Sequence, residues 1–201
     1  SRFASRGDAS GFADCYQRGA RIIFVITLPA MLGLIVLAEP IVRLLFEWGR
    51  FDAESVQQAV PVLQISALGL PAYALSGLLV RAYYARESIR IPVRLAVVNL
   101  FLNSILSLIL MHLLGVTGLA LANVLSGFIH TGLLRYYLTL KRGFQLKGLL
   151  PLLPANLLLS LGAWGLHRFL VLAEGSRAGE GLVLLGGIIV IGGLYFLILY
   201  A

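Results

Sequence analysis

The stretch LVRAYYARESIRIPVR, residues 79–94, decides how this chain is organised. It lies between two long apolar runs and carries four arginines, Arg81, Arg86, Arg90 and Arg94. In a chain that is 59% hydrophobic, such a cluster is tolerated only where a bend between two buried segments meets water. The stretch therefore predicts a polar link between two membrane-spanning helices, whose charges fix the direction in which the chain crosses the bilayer.

The composition places the chain in a membrane class. Mean hydropathy is +0.92 and 12% of the residues are charged, whereas soluble domains carry about 25% charged residues. The single Cys15 excludes an internal disulfide framework, and no C-x-x-C metal spacing occurs. The formal charge of +7 does not indicate nucleic-acid binding, because the basic residues lie in the short links between apolar runs.

Six apolar runs are each long enough to cross a bilayer as a helix: residues 21–45, 56–80, 93–114, 119–140, 149–172 and 182–200. The predicted fold class is therefore all-α, a polytopic transmembrane helix bundle. We divide the chain into a cytoplasmic amphipathic lead-in at residues 1–20, four spans within residues 21–142, and two additional spans within residues 143–201. Phe12 and Tyr16 stand four apart in the lead-in and share one helix face.

Several local signals refine this prediction. Gly69, Leu70 and Pro71 predict a bend in the second span, and Pro92 fits the first turn of the third. Glu39 and Arg43 are four apart with the acid first, which favours an ion pair. The short turn at residues 115–118 makes the third and fourth spans antiparallel neighbours.

The distribution of charge predicts the orientation. With alternating spans, twelve of the sixteen basic residues fall on the side of the N-terminus, residues 79–94 and residues 135–147. The other side holds four basic residues, Arg43, Arg50, Arg168 and Arg177. Because positive charge is retained in the cytoplasm, both ends of the chain are predicted to be cytoplasmic.

No catalytic or metal-binding constellation is visible. His112, His130 and His167 are scattered without a zinc-protein spacing, and Glu39 is the one carboxylate inside a predicted span. Lone histidines in membrane helices are usually hydrogen-bonding groups between helices. The sequence therefore favours a protein that is not an enzyme.

Two sets of polar residues are the candidate sites. Asn99 and Asn103 lie one turn apart on the third span, and Asn123 lies on the fourth. They either form hydrogen bonds between helices or provide carbonyl oxygens for Na⁺, which would also need a carboxylate from elsewhere. The arginines of residues 79–94 either anchor the topology and meet anionic headgroups, or grip a phosphate group at the mouth of a transport path.

The residues resemble a known family. The runs LPAMLGLIVLAEPIVRLLFEWGRFDAES, LGLPAYALSGLLVRAYYARESIRIPVRLAVVNLFLN and GVTGLALANVLSG look like the C-terminal half of the MurJ/MviN lipid II flippases. These transporters belong to the multidrug/oligosaccharidyl-lipid/polysaccharide (MOP) exporter superfamily. The resemblance covers roughly residues 1–142, and the remainder matches in hydropathy.

The resemblance implies that the chain is the last six helices of a fourteen-helix transporter, a fragment that lacks its N-terminal lobe. Such proteins move lipid II, the undecaprenyl-pyrophosphate-linked peptidoglycan precursor, across the bacterial inner membrane by alternating access. The last two helices would form an apolar groove for the lipid tail. Some members bind sodium at positions matching Asn99, Asn103 and Asn123, and Asn103 stands where an acid can occur.

The predicted partners are therefore lipid II, membrane lipids and the missing lobe. No cofactor is predicted, and Na⁺ is the one candidate coupling ion. Three alternatives remain open: another MOP-superfamily exporter of a polyprenyl-linked glycan or a drug, a non-transporting membrane scaffold subunit, and a membrane-embedded transferase. The transferase is disfavoured because no acid–base or metal constellation supports it.

Overall fold

The computed structural model of the chain describes residues 9–47, 52–138, 152–172 and 177–200, and within them it contains eight α-helices and no strand. The helices are α1 (Ala9–Val36), α2 (Ala38–Phe46), α3 (Ala53–Leu68), α4 (Leu70–Ala85), α5 (Arg90–Leu114), α6 (Val116–Tyr137), α7 (Leu152–Leu172) and α8 (Arg177–Tyr200). The predicted all-α fold is confirmed, as expected for apolar segments whose backbone groups must be satisfied internally.

Five stretches of the described residues are long and apolar enough to cross a membrane: Asp14–Val36, Ala53–Ala85, Arg90–Leu114, Val116–Tyr137 and Gly179–Leu197. They correspond to five of the six predicted spans. The remaining prediction, residues 149–172, coincides over most of its length with α7.

The first predicted span differs in its boundaries. The sequence predicts a helix over residues 21–45, but α1 begins at Ala9 and ends at Val36, and a separate α2 starts after Leu37. Leu37 leaves the helical conformation with φ −94° and ψ 11°. Pro40 follows in the first turn of α2, where its missing N–H costs nothing, so the proline is accommodated by starting a new helix.

The chain forms two compact units, the first from Ser1–Thr27 and Leu68–Leu149 and the second from Leu28–Ala67 and Leu150–Ala201. In the first unit the beginning of α1 packs with α4, α5 and α6 around a buried cluster. The cluster consists of Tyr16, Leu79, Ala82, Tyr83, Leu95, Leu134 and Leu138. Phe12 packs against the same cluster, so the two aromatics predicted to share one helix face both contact protein.

Polar contacts fix α4 to α6 within this unit. The hydroxyl of Thr131 donates a hydrogen bond to the carbonyl of Ala72 at 2.9 Å. The ring of Tyr73 lies against Gly127, where a Cβ atom would come within 2.5 Å of the ring. The interruption between α3 and α4 falls at Gly69, as the sequence predicted.

The second unit pairs α7 with α8 and places α2 against α8. Leu44 of α2 lies beside Gly181 of α8, and Ile191 of α8 lies beside Gly162 of α7. The side-chain amide of Gln64 donates to the carbonyl of Ile35 at 3.0 Å. The predicted ion pair of α2 is also present, with Arg43 and Glu39 3.0 Å apart on an exposed surface.

Asp52 begins α3 as its N-cap. Its carboxylate accepts hydrogen bonds from the backbone N–H of Ser55 at 3.0 Å and from the Ser55 hydroxyl at 2.8 Å. These bonds stabilise the ionised form and lower the pKa of the Asp52 carboxyl below its usual range. The cap satisfies a backbone donor that the first turn of a helix leaves unpaired.

We expect this cap to make a pH-dependent contribution to stability. Because the carboxyl has a lower pKa in the folded state, its contribution is present above the pKa of the unfolded chain and is lost as pH falls through the folded value. Asp52→Asn keeps a neutral cap and should remove that dependence. Thermal unfolding from neutral pH down to about pH 3 would show the advantage of the wild type shrinking towards acid. A constant difference between the two proteins would contradict the assignment.

Candidate functional site

The asparagines lie on a tight helical hairpin. Gly115 alone separates α5 from α6, and its φ of +63° is a conformation that glycine adopts readily. Three residues later Gly118 lies directly against the carbonyl of Leu110, so the two helices touch backbone to backbone. The predicted neighbouring arrangement of these two spans is confirmed, and it brings the polar residues of α5 opposite those of α6.

Two of the three predicted asparagines meet across this hairpin. The side-chain Nδ2 of Asn103 donates to Oδ1 of Asn123 at 2.9 Å. The hydroxyl of Ser107 donates to Oδ1 of Asn103 at 3.3 Å. Asn99 does not join this pair: its Oδ1 is buried and has no hydrogen-bond partner among the described residues. The hydroxyl of Ser126 donates to the backbone carbonyl of Asn123 and does not bond to the Asn123 side chain, which pairs with Asn103.

This arrangement fits a hydrogen bond between helices better than a cation site. A sodium site needs several oxygen atoms directed at one point, whereas Asn103 presents its nitrogen to Asn123 and its oxygen to Ser107. No group of His, Cys, Asp and Glu side chains in the described part of the chain could hold a metal ion. Sodium binding therefore stays a prediction.

We expect Asn103→Leu to weaken the pairing of α5 with α6. Hydrogen bonds between membrane helices are worth about 0.6 kcal/mol on average, and a double-mutant cycle with Asn123→Leu isolates that amount. Unfolding of the full-length protein in detergent, with sodium exchanged for potassium, provides the measurement. Stabilisation by sodium that disappears in Asn103→Leu would instead support the cation site.

The arginine link, residues 79–94, contains the end of α4, a short turn and the start of α5. α4 ends at Ala85 with Arg86 as its C-cap, and Glu87 then takes a left-handed conformation with φ 57°. The backbone N–H groups of Glu87 and Ser88 bond to the carbonyls of Tyr84 and Tyr83, which is the Schellman pattern that satisfies the last carbonyls of a helix. α5 starts at Arg90, and its first turn includes Pro92 as predicted.

The structure separates the arginines into two kinds. Arg86 lies 4.5 Å from the centre of the Phe12 ring, and Arg135 lies 5.8 Å from the centre of the Tyr16 ring. Both are cation–π contacts that tie the start of α1 to the ends of α4 and α6. Arg81, Arg90 and Arg94 are exposed, and no ion pair involving them occurs among the described residues. Lys141, Arg142 and Lys147 lie outside the described residues.

An apolar groove of about 110 Å³ lies between α7 and α8. Its walls are formed by Ala155, Leu158, Leu159, Gly162, Val190, Ile191, Leu194 and Tyr195. A side-chain hydrogen bond links Tyr195 to Asn156, and both residues are buried. The bond joins the two helices through their polar side chains, and the surface offered by the groove is almost wholly hydrocarbon.

Sequence reasoning placed this groove by resemblance and missed the polar pair. Asn156 was the one available signal, because an amide in an apolar helix needs a partner. Its partner Tyr195 lies far away in the sequence, and tyrosine is ordinary in a membrane helix.

Comparison with known proteins gives consistent matches. A family profile described as lipid II flippase MurJ matches residues 1–172. The probable lipid II flippase MurJ of Rhizobium meliloti (strain 1021) is 37% identical over 128 residues, which are 64% of this chain and 24% of that protein. The corresponding protein of Vibrio cholerae serotype O1 is 35% identical over 140 residues, 70% of this chain and 26% of the relative.

A solved structure described as lipid II flippase MurJ, inward closed conformation, has the same fold. It superposes with a TM-score of 0.69 at 22% identity, covering 100% of this chain and 42% of the solved chain. At that identity the likeness concerns the fold alone.

The helices and their apolar surfaces define a multi-pass membrane protein. Because the family profile covers most of its residues, the chain belongs to the lipid II flippase MurJ family. It spans about a quarter of the length of these two curated relatives.

Proposed function

We propose that this chain forms the C-terminal part of a transporter that moves lipid II across the bacterial inner membrane by alternating access. The observation that carries the proposal is the family match over residues 1–172. The proposed activity is transport, and it includes no covalent step. Segments that the longer relatives possess would supply the other lobe.

Within this transporter, we assign the groove between α7 and α8 to the polyprenyl tail of the substrate. Its hydrocarbon walls match such a chain. The polar side chains of Asn156 and Tyr195 are hydrogen-bonded to each other. The proposed orientation has both ends of the chain in the cytoplasm. The excess of arginine at the α4–α5 link supports it, because basic residues are retained on that side.

The groove assignment is tested by filling it. Gly162 lines the groove, and a Cβ atom there would meet Ile191 at 3.5 Å, so Gly162→Leu would occupy part of the space. Gly165 on the same helix has no neighbour within 4 Å of its Cβ position, which makes Gly165→Leu the matched control. We expect Gly162→Leu to lower lipid II transport by about tenfold, the order of effect of a misfit in an apolar pocket.

The measurement replaces the native full-length protein with each variant and follows lipid II on the cytoplasmic leaflet. Accumulation on depletion supports a lipid II transporter, and accumulation of a different lipid-linked glycan would identify another exporter of the superfamily. No accumulation of any lipid-linked glycan would favour the scaffold alternative. Equal transport by Gly162→Leu and Gly165→Leu, with lipid II accumulation on depletion intact, would remove the groove assignment alone.

A further inference from the structure

The groove between α7 and α8 is closed at both ends by contacts between the two helices. At one end the buried side chains of Asn156 and Tyr195 are hydrogen-bonded to each other. At the other end the side chain of Leu166 lies against Gly187, where a Cβ atom would overlap the leucine. The residues of α7 that line the groove fall within residues 155–162. The groove is therefore short, and neither end continues along the helix pair.

The length of the groove can be compared with that of a polyprenyl chain. Its α7 wall runs from residue 155 to residue 162, seven residues along the helix, or about 10 Å at a rise of 1.5 Å per residue. An extended chain advances about 1.2 Å per backbone bond, so one isoprene unit, with four such bonds, covers about 5 Å. The groove accommodates about two isoprene units, and an undecaprenyl tail is about five times as long.

The groove opens sideways along its length. Ala155 and Leu159 are buried and form its floor. Leu158, Leu194 and Val190 form its rim and are exposed by 53%, 56% and 65% of their surface. A chain that lies in the groove can leave it past the rim and continue into the surrounding lipid. Because lipid tails are as apolar as leucine, the part of the chain outside the groove gains nothing that the bilayer does not already provide.

We propose that the groove recognises only about two isoprene units, those next to the headgroup, and that transport does not depend on the length of the tail beyond them. This recognition rests on the proposed function, because it concerns the tail of the same substrate. A transporter must hold the head that it carries, and a short connection from a held head to a fixed groove costs less entropy than a long one. The substrate class is therefore polyprenyl-linked glycopeptides with tails of geranyl length or longer.

The test varies the tail and keeps the head constant. Full-length protein in phosphatidylcholine vesicles receives lipid II analogues with a fluorescent glycopeptide and an undecaprenyl, heptaprenyl, geranylgeranyl, geranyl or dimethylallyl tail. An impermeant quencher reports the fraction moved across the bilayer. Gly162→Leu fills the groove and Gly165→Leu does not, so the rate of Gly165→Leu divided by that of Gly162→Leu measures the contribution of the groove at each length. Weaker partitioning of short tails into the membrane affects both variants equally and cancels in this ratio.

We expect the ratio to stay at about tenfold from the undecaprenyl to the geranyl analogue, and to fall towards one for dimethylallyl, which is too short to fill the groove. A ratio that falls steadily from undecaprenyl downwards would overturn the two-unit limit and leave both lipid II transport and the groove assignment standing. A ratio of one at every length, with transport intact, would remove the groove assignment and the limit together. Absence of transport of every analogue would instead overturn the proposed function on which the limit rests.

A second variant lengthens the groove. Leu166→Ala removes the side chain that closes one end and opens about one helical turn, about 5 Å, which is the length of one further isoprene unit. Leu161→Ala is the matched control, because Leu161 lies on the same helix, is 64% exposed and does not line the groove. We expect Leu166→Ala to move the farnesyl analogue severalfold faster relative to the geranyl analogue than Leu161→Ala does. The same farnesyl-to-geranyl ratio in both variants would show that Leu166 does not limit the groove and would overturn the proposal.

Discussion

Gly118→Ala is expected to separate α5 from α6 and to destabilise the folded protein by about 3 kcal/mol. A Cβ atom at this position would overlap the carbonyl oxygen of Leu110, and the amide nitrogen of Met111 is 3.0 Å away. These are backbone atoms of a neighbouring helix, so no side-chain rotation can relieve the overlap. The helices must move apart, and the contacts near the turn of the hairpin are lost with them.

Gly132 provides the control for this change. It lies on the same helix, and nothing lies within 4 Å of its Cβ position. Gly132→Ala should be neutral or slightly stabilising, because alanine favours the helix by up to about 1 kcal/mol over glycine. Thermal unfolding of the full-length protein in detergent compares the two variants. Equal melting temperatures would show that the approach of α5 and α6 at Gly118 does not stabilise the fold.

The helices of this fold were predictable because, in a membrane protein, each spanning helix corresponds to an apolar run of the sequence. Apolar runs must become helices, and the arginine link has to interrupt them, so an interruption between the second and third spans followed from composition. Its bounds did not: the prediction ended one span at residue 80 and began the next at residue 93, whereas α4 continues to Ala85 and α5 begins at Arg90. The hairpin at Gly115 followed from a turn too short for any other arrangement. Hydrogen bonding between the asparagines of α5 and α6 was one of the two alternatives that the sequence left open, because unpaired amides are costly in an apolar helix. The sequence did not indicate that Asn103 would pair with Asn123 while Asn99 stays outside the pair.

Features that depend on partners distant in sequence were not predictable. The placement of Phe12 over Arg86 requires the start of α1 to pack beside the end of α4. Periodicity placed Phe12 on a helix face but could not distinguish a membrane surface from a protein contact. The same difficulty concealed Tyr195, whose hydrogen bond to Asn156 forms only after α7 and α8 pair.

The candidate sites show the same difference between features that the sequence predicts and features that depend on packing. Sequence reasoning selected the arginines as a group, because their density in an apolar chain is unusual. It could not separate Arg86, which contacts an aromatic ring, from Arg90 and Arg94, which are exposed. A charged residue can be identified from the sequence, whereas the group that it contacts depends on how the helices pack.

Tyr83→Ala is expected to cost about 3–5 kcal/mol, the range for removing a large aromatic side chain from a core. Tyr83 is 2% exposed and lies in the buried cluster beneath the arginine link. Its hydroxyl donates to the carbonyl of Leu134 at 2.9 Å and so joins α4 to α6. Both the packing and this bond disappear in alanine, and the end of α4 that carries the link loses its anchor.

Two further variants divide this loss into its parts. Tyr83→Phe keeps the ring and removes the hydrogen bond, so it should cost about 1 kcal/mol. The carbonyl of Leu134 also accepts from the N–H of Leu138 at 3.1 Å, so phenylalanine leaves it paired. Tyr84→Ala, at the exposed neighbouring position, should change stability by less than about 0.5 kcal/mol. If Tyr83→Ala were as mild as Tyr84→Ala in detergent unfolding, the buried cluster would not be what holds the arginine link to the first unit.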